Sequence, residues 1–292
     1  MNGQYDFQFT ERDGQIIAAV ARYRFLTTSQ IWRLIFPENT SAQSARRRLR
    51  YLRQGQFLRH VRPPLTGKGQ EDSVYLLDKA GNAYAQNMGF DFPKYGRFKE
   101  TSLPFLNHAL ALSEFRLVME LSLENHPIVG LHKFVADFEL KTGQAHLKGQ
   151  YRYRLFDTLD DPTTGESYTF YPDAVIVLSG KGEHAKSKRL YFVEIDKGTE
   201  TLTIIERKLR ACELAAQSHM VTKFGAGQKF RLLFQVPSPQ RKEHFLSRFS
   251  DHPLANDVWV TSAADVTPES VLENPIWQDL NSQQRAILKS RA

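Results

Sequence analysis

Cysteine occurs once in these 292 residues, at Cys212. A single thiol excludes a disulfide framework and any zinc site built from several cysteines. Long apolar runs are also missing. The longest, such as AVIVL at 174–178, fall far short of the ~20 residues a bilayer-spanning helix needs. The opening stretch MNGQYDFQFTERDG lacks a basic segment followed by an apolar one, so it does not read as a secretion signal. No G-x-x-x-x-G-K-S/T loop is present to cradle nucleotide phosphates, which argues against an ATP-driven motor. No paired histidines flank a tyrosine, which argues against a relaxase with a histidine-bound metal. Repeats and low-complexity segments are absent too. These absences lead to the expectation of a soluble, cytoplasmic protein with no membrane partner.

Charge, in contrast, is plentiful and uneven. The net charge is +7, from 39 Lys+Arg against 32 Asp+Glu. Residues 1–100 carry 16 basic and 9 acidic side chains, whereas residues 101–292 carry 23 of each. The whole basic excess lies in the first third, where it would steer an anionic partner.

The pattern of apolar residues and breakers predicts a mixed α+β, α/β chain. Thr10-Glu11-Arg12-Asp13 is a capping-box-like start to a helix with an Ile16, Ile17, Val20 and Ala21 stripe. A turn at 26–29 precedes a short helix bearing Ile31, Leu34 and Ile35, which Pro37 stops. A third helix runs from Thr40 or Ser41 to about Gln54, with Gly55 as its stop. FLRHV and SVYLL then read as strands joined by a Pro/Gly-rich connector, and a further helix covers 79–88. The domain reading is 1–90 for this first part, 91–104 as linker, 105–262 as an α/β domain and 263–292 as a polar tail. In the α/β part a long helix is followed by strands at 128–140, 150–156, 171–178 and 190–196. A helix at 201–218, a strand at 230–236, a helical turn or two at 244–249 and a strand at 257–262 complete it. Trp277 and Leu280 in the tail are candidate docking contacts to a partner or a second copy.

The third helix, SARRRLRYLRQG, has an apolar seam of Ala45, Leu49 and Leu52. Arg46, Arg47 and Arg50 point the other way, and Arg48 and Arg53 flank the seam. One face is suited to burial and the other to anions. Helix, helix, basic helix and hairpin is the order of a winged helix-turn-helix. The expectation is therefore double-stranded DNA bound by Arg46, Arg47, Arg50 and Arg53, with Arg59, Arg62 and Lys68 along the wing. Arginine serves both guanine edges and phosphates, so the residues alone do not divide the two jobs.

In the second part, YPDAVIVL (171–178) and FVEIDKGTE (192–200) place carboxylates at the ends of apolar strands. In an extended strand Glu194 and Asp196 share a face. An adjacent strand brings Asp173 close to them. Converging carboxylates require neutralisation, and Mg²⁺ or Mn²⁺ suits an oxygen-only donor set. Asp173 and Glu194 are the candidate metal ligands, with Asp196 in support. His108 and His132 read as structural residues, and Tyr151, Tyr153, Tyr168, Tyr171 and Tyr191 as packing, although a tyrosine nucleophile stays open.

The PD…E-x-D arrangement resembles the PD-(D/E)XK nucleases of the restriction-endonuclease-like superfamily. On that resemblance Asp173 matches the motif aspartate, Glu194 the second acid, and Glu114 an additional acid on the preceding helix. Asp196 stands where the family has its lysine, and Lys197 or Lys208 is the candidate substitute. The chain as a whole resembles the replication-relaxation family of plasmid and mobile-element proteins, across roughly 10–235. The resemblance rests on RDGQIIAAVARYRFLTTSQIWRLIF, the arginine helix, VYLLDKAGNAYA, NHALALSEF, PDAVIVL and EIDKGTETLTIIERKLRAC. It implies a role in plasmid replication or mobilisation. Two functions stay open at this point. One is a metal-dependent nickase or endonuclease. The other is a non-catalytic DNA-binding regulator whose second domain dimerises or recruits a replication or transfer protein.

Overall fold

The computed structural model describes residues 8–62, 72–90, 102–144, 146–226 and 229–288. Lys68 and most of the expected linker lie outside these residues. Among them the chain forms seven α-helices and divides into two compact units, Met1–Leu117 and Val118–Ala292.

The first unit begins with α1 (Glu11–Tyr23). The Asp13 carboxylate accepts hydrogen bonds from Thr10 N and Thr10 Oγ1, each 2.8 Å, satisfying the open end of the helix. β1 (Leu26–Thr27) leads into α2 (Thr28–Ile35), where Thr27 and Gln30 cap reciprocally, Gln30 N donating to Thr27 Oγ1 at 3.2 Å. α3 (Gln43–Gln54) buries Ala45, Leu49 and Leu52 completely, as its seam requires. Each such leucine contributes roughly 1.5–3 kcal/mol. The turn out of α3 differs from expectation in one detail: the left-handed residue is Gln56 (φ 57°), not Gly55.

β2 (Leu58–Val61) and β3 (Val74–Leu77) form an antiparallel pair, and β1 joins the other side of β3. α4 (Lys79–Asn87) packs so closely that a Cβ on Gly81 would lie 2.0 Å from the Phe57 carbonyl oxygen. Only glycine fits there. α5 (Leu103–Leu123) follows, and the division between units falls inside it rather than at 91–104. The reason is packing. Leu106 joins Phe25, Val74 and Leu76 in one core, and Ser113 Oγ donates to Phe25 O at 2.9 Å.

The second unit is built on a mixed seven-stranded sheet in the order β12 (Gln284–Arg285), β11 (Trp277–Asp279), β10 (Val258–Ser262), β9 (Phe230–Val236), β8 (Lys188–Ile195), β7 (Ala174–Gly180), β4 (Val129–Ala136). β4 (Val129–Ala136), β7 (Ala174–Gly180) and β8 (Lys188–Ile195) pair antiparallel. β8, β9 (Phe230–Val236) and β10 (Val258–Ser262) run parallel, connected by α6 (Leu202–Ala216) and α7 (Pro239–Phe249). The main core joins Leu190, Phe192, Leu232, Phe234 and Val260 of the sheet to Ile205, Leu209, Cys212, Phe245 and Phe249 of those helices.

Two expectations are corrected here. Residues 150–156 do not form a strand: a 3-10 turn covers Gly149–Arg152, entered at Gly149 with φ 59°, and one bridge joins Leu140 to Tyr153. The strands nearby are instead β5 (Asp157–Asp160) and β6 (Ser167–Phe170), a separate antiparallel pair. Residues 263–288 are not merely a polar tail either, because β11 (Trp277–Asp279) and β12 (Gln284–Arg285) extend the main sheet. Trp277 and Leu280 are buried in their own unit, with Trp277 Nε1 donating to Val271 O at 3.2 Å, so neither is a surface for a partner.

Candidate nucleic-acid interface and acidic site

On α3 the arginines divide sharply. Arg48 turns inward: its Nε donates to Asp13 Oδ1 at 2.8 Å, its Nη2 bonds the other oxygen of the same carboxylate, and Asp13 has no exposure. Arg46, Arg47, Arg50 and Arg53 are exposed and form no ion pair with any described residue. Arg46, Arg47 and Arg50 lie opposite Ala45, Leu49 and Leu52, Arg53 flanks that seam, and all four side chains are open to solvent. Arg62 is exposed at the end of β2, and Arg59 is half-buried. His60, between them, has its pKa lowered by partial burial and by the charges of Arg53 and Arg62. Arg53 at the end of α3 and Arg62 at the end of β2 thus both act on the same ring.

In the second unit, Asp173 sits immediately before β7, with Ala174 registered opposite Val193 of β8. Its N–H donates to Val193 O at 3.0 Å, and its Oδ2 accepts from Ile195 N at 2.7 Å. This places Asp173 against the end of β8, beside Glu194, as expected from the two strands. Glu194 is buried, its side chain 5% exposed, and accepts a hydrogen bond from Lys208 Nζ at 2.8 Å. Lys208 comes from α6 and also donates to Glu200 Oε1 at 2.7 Å.

Burial pushes Glu194 up to about 8, reinforced by the nearby charges of Asp173 and Glu200 and opposed by Lys208. Burial also works against the Lys208 charge, but Glu194, Asp173 and Glu200 outweigh it and raise its pKa. Lys208 is thus a fixed cation beside Glu194, the acid whose charge burial disfavours.

Asp196 shares the helix-facing side of β8 with Glu194 but has a different partner. Its carboxylate has no exposure, takes Arg241 Nε from α7 at 2.8 Å, and accepts Gly198 N at 2.6 Å. Arg241 Nη2 also reaches Glu200 O at 2.7 Å, so Asp196 and Arg241 shape the loop that carries Glu200. Lys197 is exposed and forms no ion pair among the described residues. Of the two candidate lysines, the structure brings Lys208 to the acids. Glu114 does not join them: its carboxylate is held by Arg33 and by Gln30 Nε2, the latter at 2.9 Å, within the first unit. Sequence reasoning missed Glu200 and Arg241. Glu200 stands in the same acidic stretch as Glu194, whereas nothing local marks Arg241.

Among the described residues no group of three or more His, Cys, Asp or Glu is spaced to hold a metal. Asp173 and Glu194 nonetheless supply hard oxygen donors. Glu200 Oε2, a buried oxygen with no hydrogen-bond partner, adds unspent acceptor capacity next to Lys208. Two carboxylates are enough for Mg²⁺, which retains several waters and takes further oxygens from a phosphate substrate. The only cysteine, Cys212, is buried with its thiol pKa pushed up by desolvation, and has no part in this chemistry.

No helix among the described residues is long and apolar enough to cross a membrane. Compared with known proteins, no curated protein matches the chain. Among solved structures, a mutant of Lactococcus lactis ZitR aligns over 30% of this chain and 54% of its own, at 14% identity and a TM-score of 0.23. The family model described as Replication-relaxation matches residues 17–225. That span takes in α3, Asp173, Glu194 and Lys208, and on it the chain belongs to the replication-relaxation family.

Proposed function

We propose that this protein binds duplex DNA through its first unit and nicks or cuts it through its second, in the replication or mobilisation of a plasmid or other mobile element. The observation that carries the reading is the division among the α3 arginines. Arg48 is consumed by buried Asp13, while Arg46, Arg47, Arg50 and Arg53 stand together on the solvent face. Desolvated structural arginines need a carboxylate; four left without one offer themselves to phosphates and base edges. In this reading α1, α2 and α3 with the β2–β3 pair constitute a winged helix-turn-helix, α3 entering the major groove and Arg59, Arg62 and Lys68 serving the wing. A salt titration of duplex binding tests it. Four phosphate contacts give a log K against log salt slope near −3.6, and a slope near zero would refute it.

For the second unit the reading is a PD-(D/E)XK-like site with its lysine moved onto α6. Asp173 and Glu194 would hold Mg²⁺ or Mn²⁺, which when bound lowers the pKa of a coordinated water and offsets phosphoryl charge. Lys208, kept charged by its acidic neighbours, would stabilise charge developing on a phosphoryl oxygen. Asp196 positions rather than reacts: through Arg241 it fixes the loop from 196 to 200.

A second reading is a non-catalytic regulator whose second unit dimerises or recruits a replication or transfer protein. It is favoured by one contact, since Asp173 Oδ2 is already engaged by Ile195 N. The two are separated by incubating supercoiled plasmid with Mg²⁺ or Mn²⁺. Tight binding without nicking selects the regulator.

A further inference from the structure

A cavity of about 630 Å³ opens at the start of β8 and β9, with five cations around it: Lys188, Arg189, Lys229, Arg231 and Arg285. No Asp or Glu among the described residues lines it. Two of the five are neutralised from outside the cavity, Arg231 by Asp257 and Arg285 by Asp279, each pair at 2.6 Å. Lys188, Arg189 and Lys229 have no carboxylate partner among the described residues. Lys188 Nζ lies 3.2 Å from His132 Nε2, and Arg189 Nη1 donates to Ile287 O at 2.9 Å, neither of which removes charge. The three uncompensated positive side chains around a concave surface concentrate field inside it. Trp259 contributes the wall beneath Arg231, whose guanidinium lies 5.7 Å from its ring centroid.

We infer that this cavity is a second anion site, which binds phosphate groups of a nucleic acid strand or of a nucleotide. It sits at the opposite end of β8 from Glu194. Lys188 and Glu194 are separated by six strand steps, about 20 Å. A single strand at ~3.4 Å per nucleotide covers that distance in about six nucleotides. The inference rests on neither the α3 arginines nor cleavage.

The test uses the full chain with Lys188→Ala/Lys229→Ala, against a control that removes lysines elsewhere in the unit, Lys148→Ala/Lys242→Ala. All binding is measured by fluorescence anisotropy in an Arg46→Ala/Arg47→Ala/Arg50→Ala/Arg53→Ala background. In that background a failure of the α3 reading does not mask the result. Loss of the two cavity lysines is expected to weaken binding of a single-stranded oligonucleotide about tenfold or more and to reduce the salt slope by about 1.4 units, while the control leaves both unchanged. A parallel arm titrates a deoxynucleoside monophosphate and inorganic phosphate against tryptophan fluorescence, with Trp259→Phe identifying the reporting residue. A saturable change that needs Lys188 and Lys229 in this arm, without an oligonucleotide effect, assigns the site to free nucleotide or phosphate. If neither arm distinguishes the cavity variant from the control, with circular dichroism showing both folded, the inference is overturned.

Discussion

Lys208 Nζ and Glu194 Oε2 lie 2.8 Å apart, joining α6 to the end of β8 and placing a fixed cation against a buried acid. The pair is half structural and half chemical. Removing Lys208 leaves Glu194 buried without its donor, whereas removing Glu194 leaves Lys208 with Glu200.

Lys208→Ala is therefore expected to destabilise the second unit by about 1–3 kcal/mol, less than the 3–5 typical of a fully buried pair because Lys208 is partly exposed. Glu194→Gln, which removes the charge and keeps the shape, is expected to cost less. Denaturant titration of both variants and of the double variant measures the coupling. Strict additivity of the two would deny the interaction.

The raised pKa of Glu194 fixes a pH dependence. In the folded state the carboxyl holds its proton up to about 8, whereas in the unfolded chain it releases it near 4.5. The folded state binds more protons between these values, so this stabilising contribution is full below about 4.5 and is lost as pH rises through about 8. Glu194→Gln is expected to flatten that decline. Stabilisation by Mg²⁺ or Mn²⁺, which must displace the proton, is expected to grow over the same rise in pH. Thermal unfolding across pH 5–9 with and without metal reads both effects, and an identical profile for wild type and variant would contradict them.

On α3, Arg48→Ala and Arg50→Ala are expected to fail in opposite ways. Arg48→Ala strands the buried Asp13 carboxylate and costs on the order of 3 kcal/mol. Arg50→Ala leaves stability within about 0.5 kcal/mol and lowers duplex affinity, with a salt slope shallower by about 0.9. Parallel melting and anisotropy measurements distinguish them. Equal effects on both readouts would remove the division of roles.

Trp277→Ala is expected to destabilise the second unit by about 3–5 kcal/mol, because the indole is wholly enclosed. A neutral result in denaturant unfolding would return residues 263–292 to the status of a polar tail.

Much of this arrangement was legible in the sequence, and what was not has physical reasons. The Ala45, Leu49 and Leu52 seam identifies α3 because three apolar residues at helical spacing can be buried together only on a helix. β7 and β8 declare themselves through unbroken apolar runs that a doubly covered strand requires. β11 and β12 escape notice because three and two residues carry no period. The aromatic alternation at 150–156 mimics a strand, but Gly149 turns the chain through a positive φ and spends those residues on a 3-10 turn. In the acidic site, Asp173 and Glu194 follow from two adjacent strand ends. Asp196 and Arg241, 45 residues apart, meet only because α7 packs on β9 and β10 and its first turn reaches the end of β8. Glu114 was misplaced because an acid on a helix before a sheet does not reveal which side of a unit boundary it serves. Its partners Arg33 and Gln30 settle that.

The most direct measurement is the nicking of supercoiled plasmid in Mg²⁺ or Mn²⁺ by wild type, Asp173→Ala, Glu194→Gln and Lys208→Ala, with duplex binding recorded on the same preparations. Wild type is expected to convert supercoiled to open-circular or linear DNA, and the three variants to bind as tightly while nicking at least ~100-fold more slowly. Nicking by all four proteins at equal rates, or intact plasmid in every lane despite tight binding, would contradict a catalytic site at Asp173, Glu194 and Lys208.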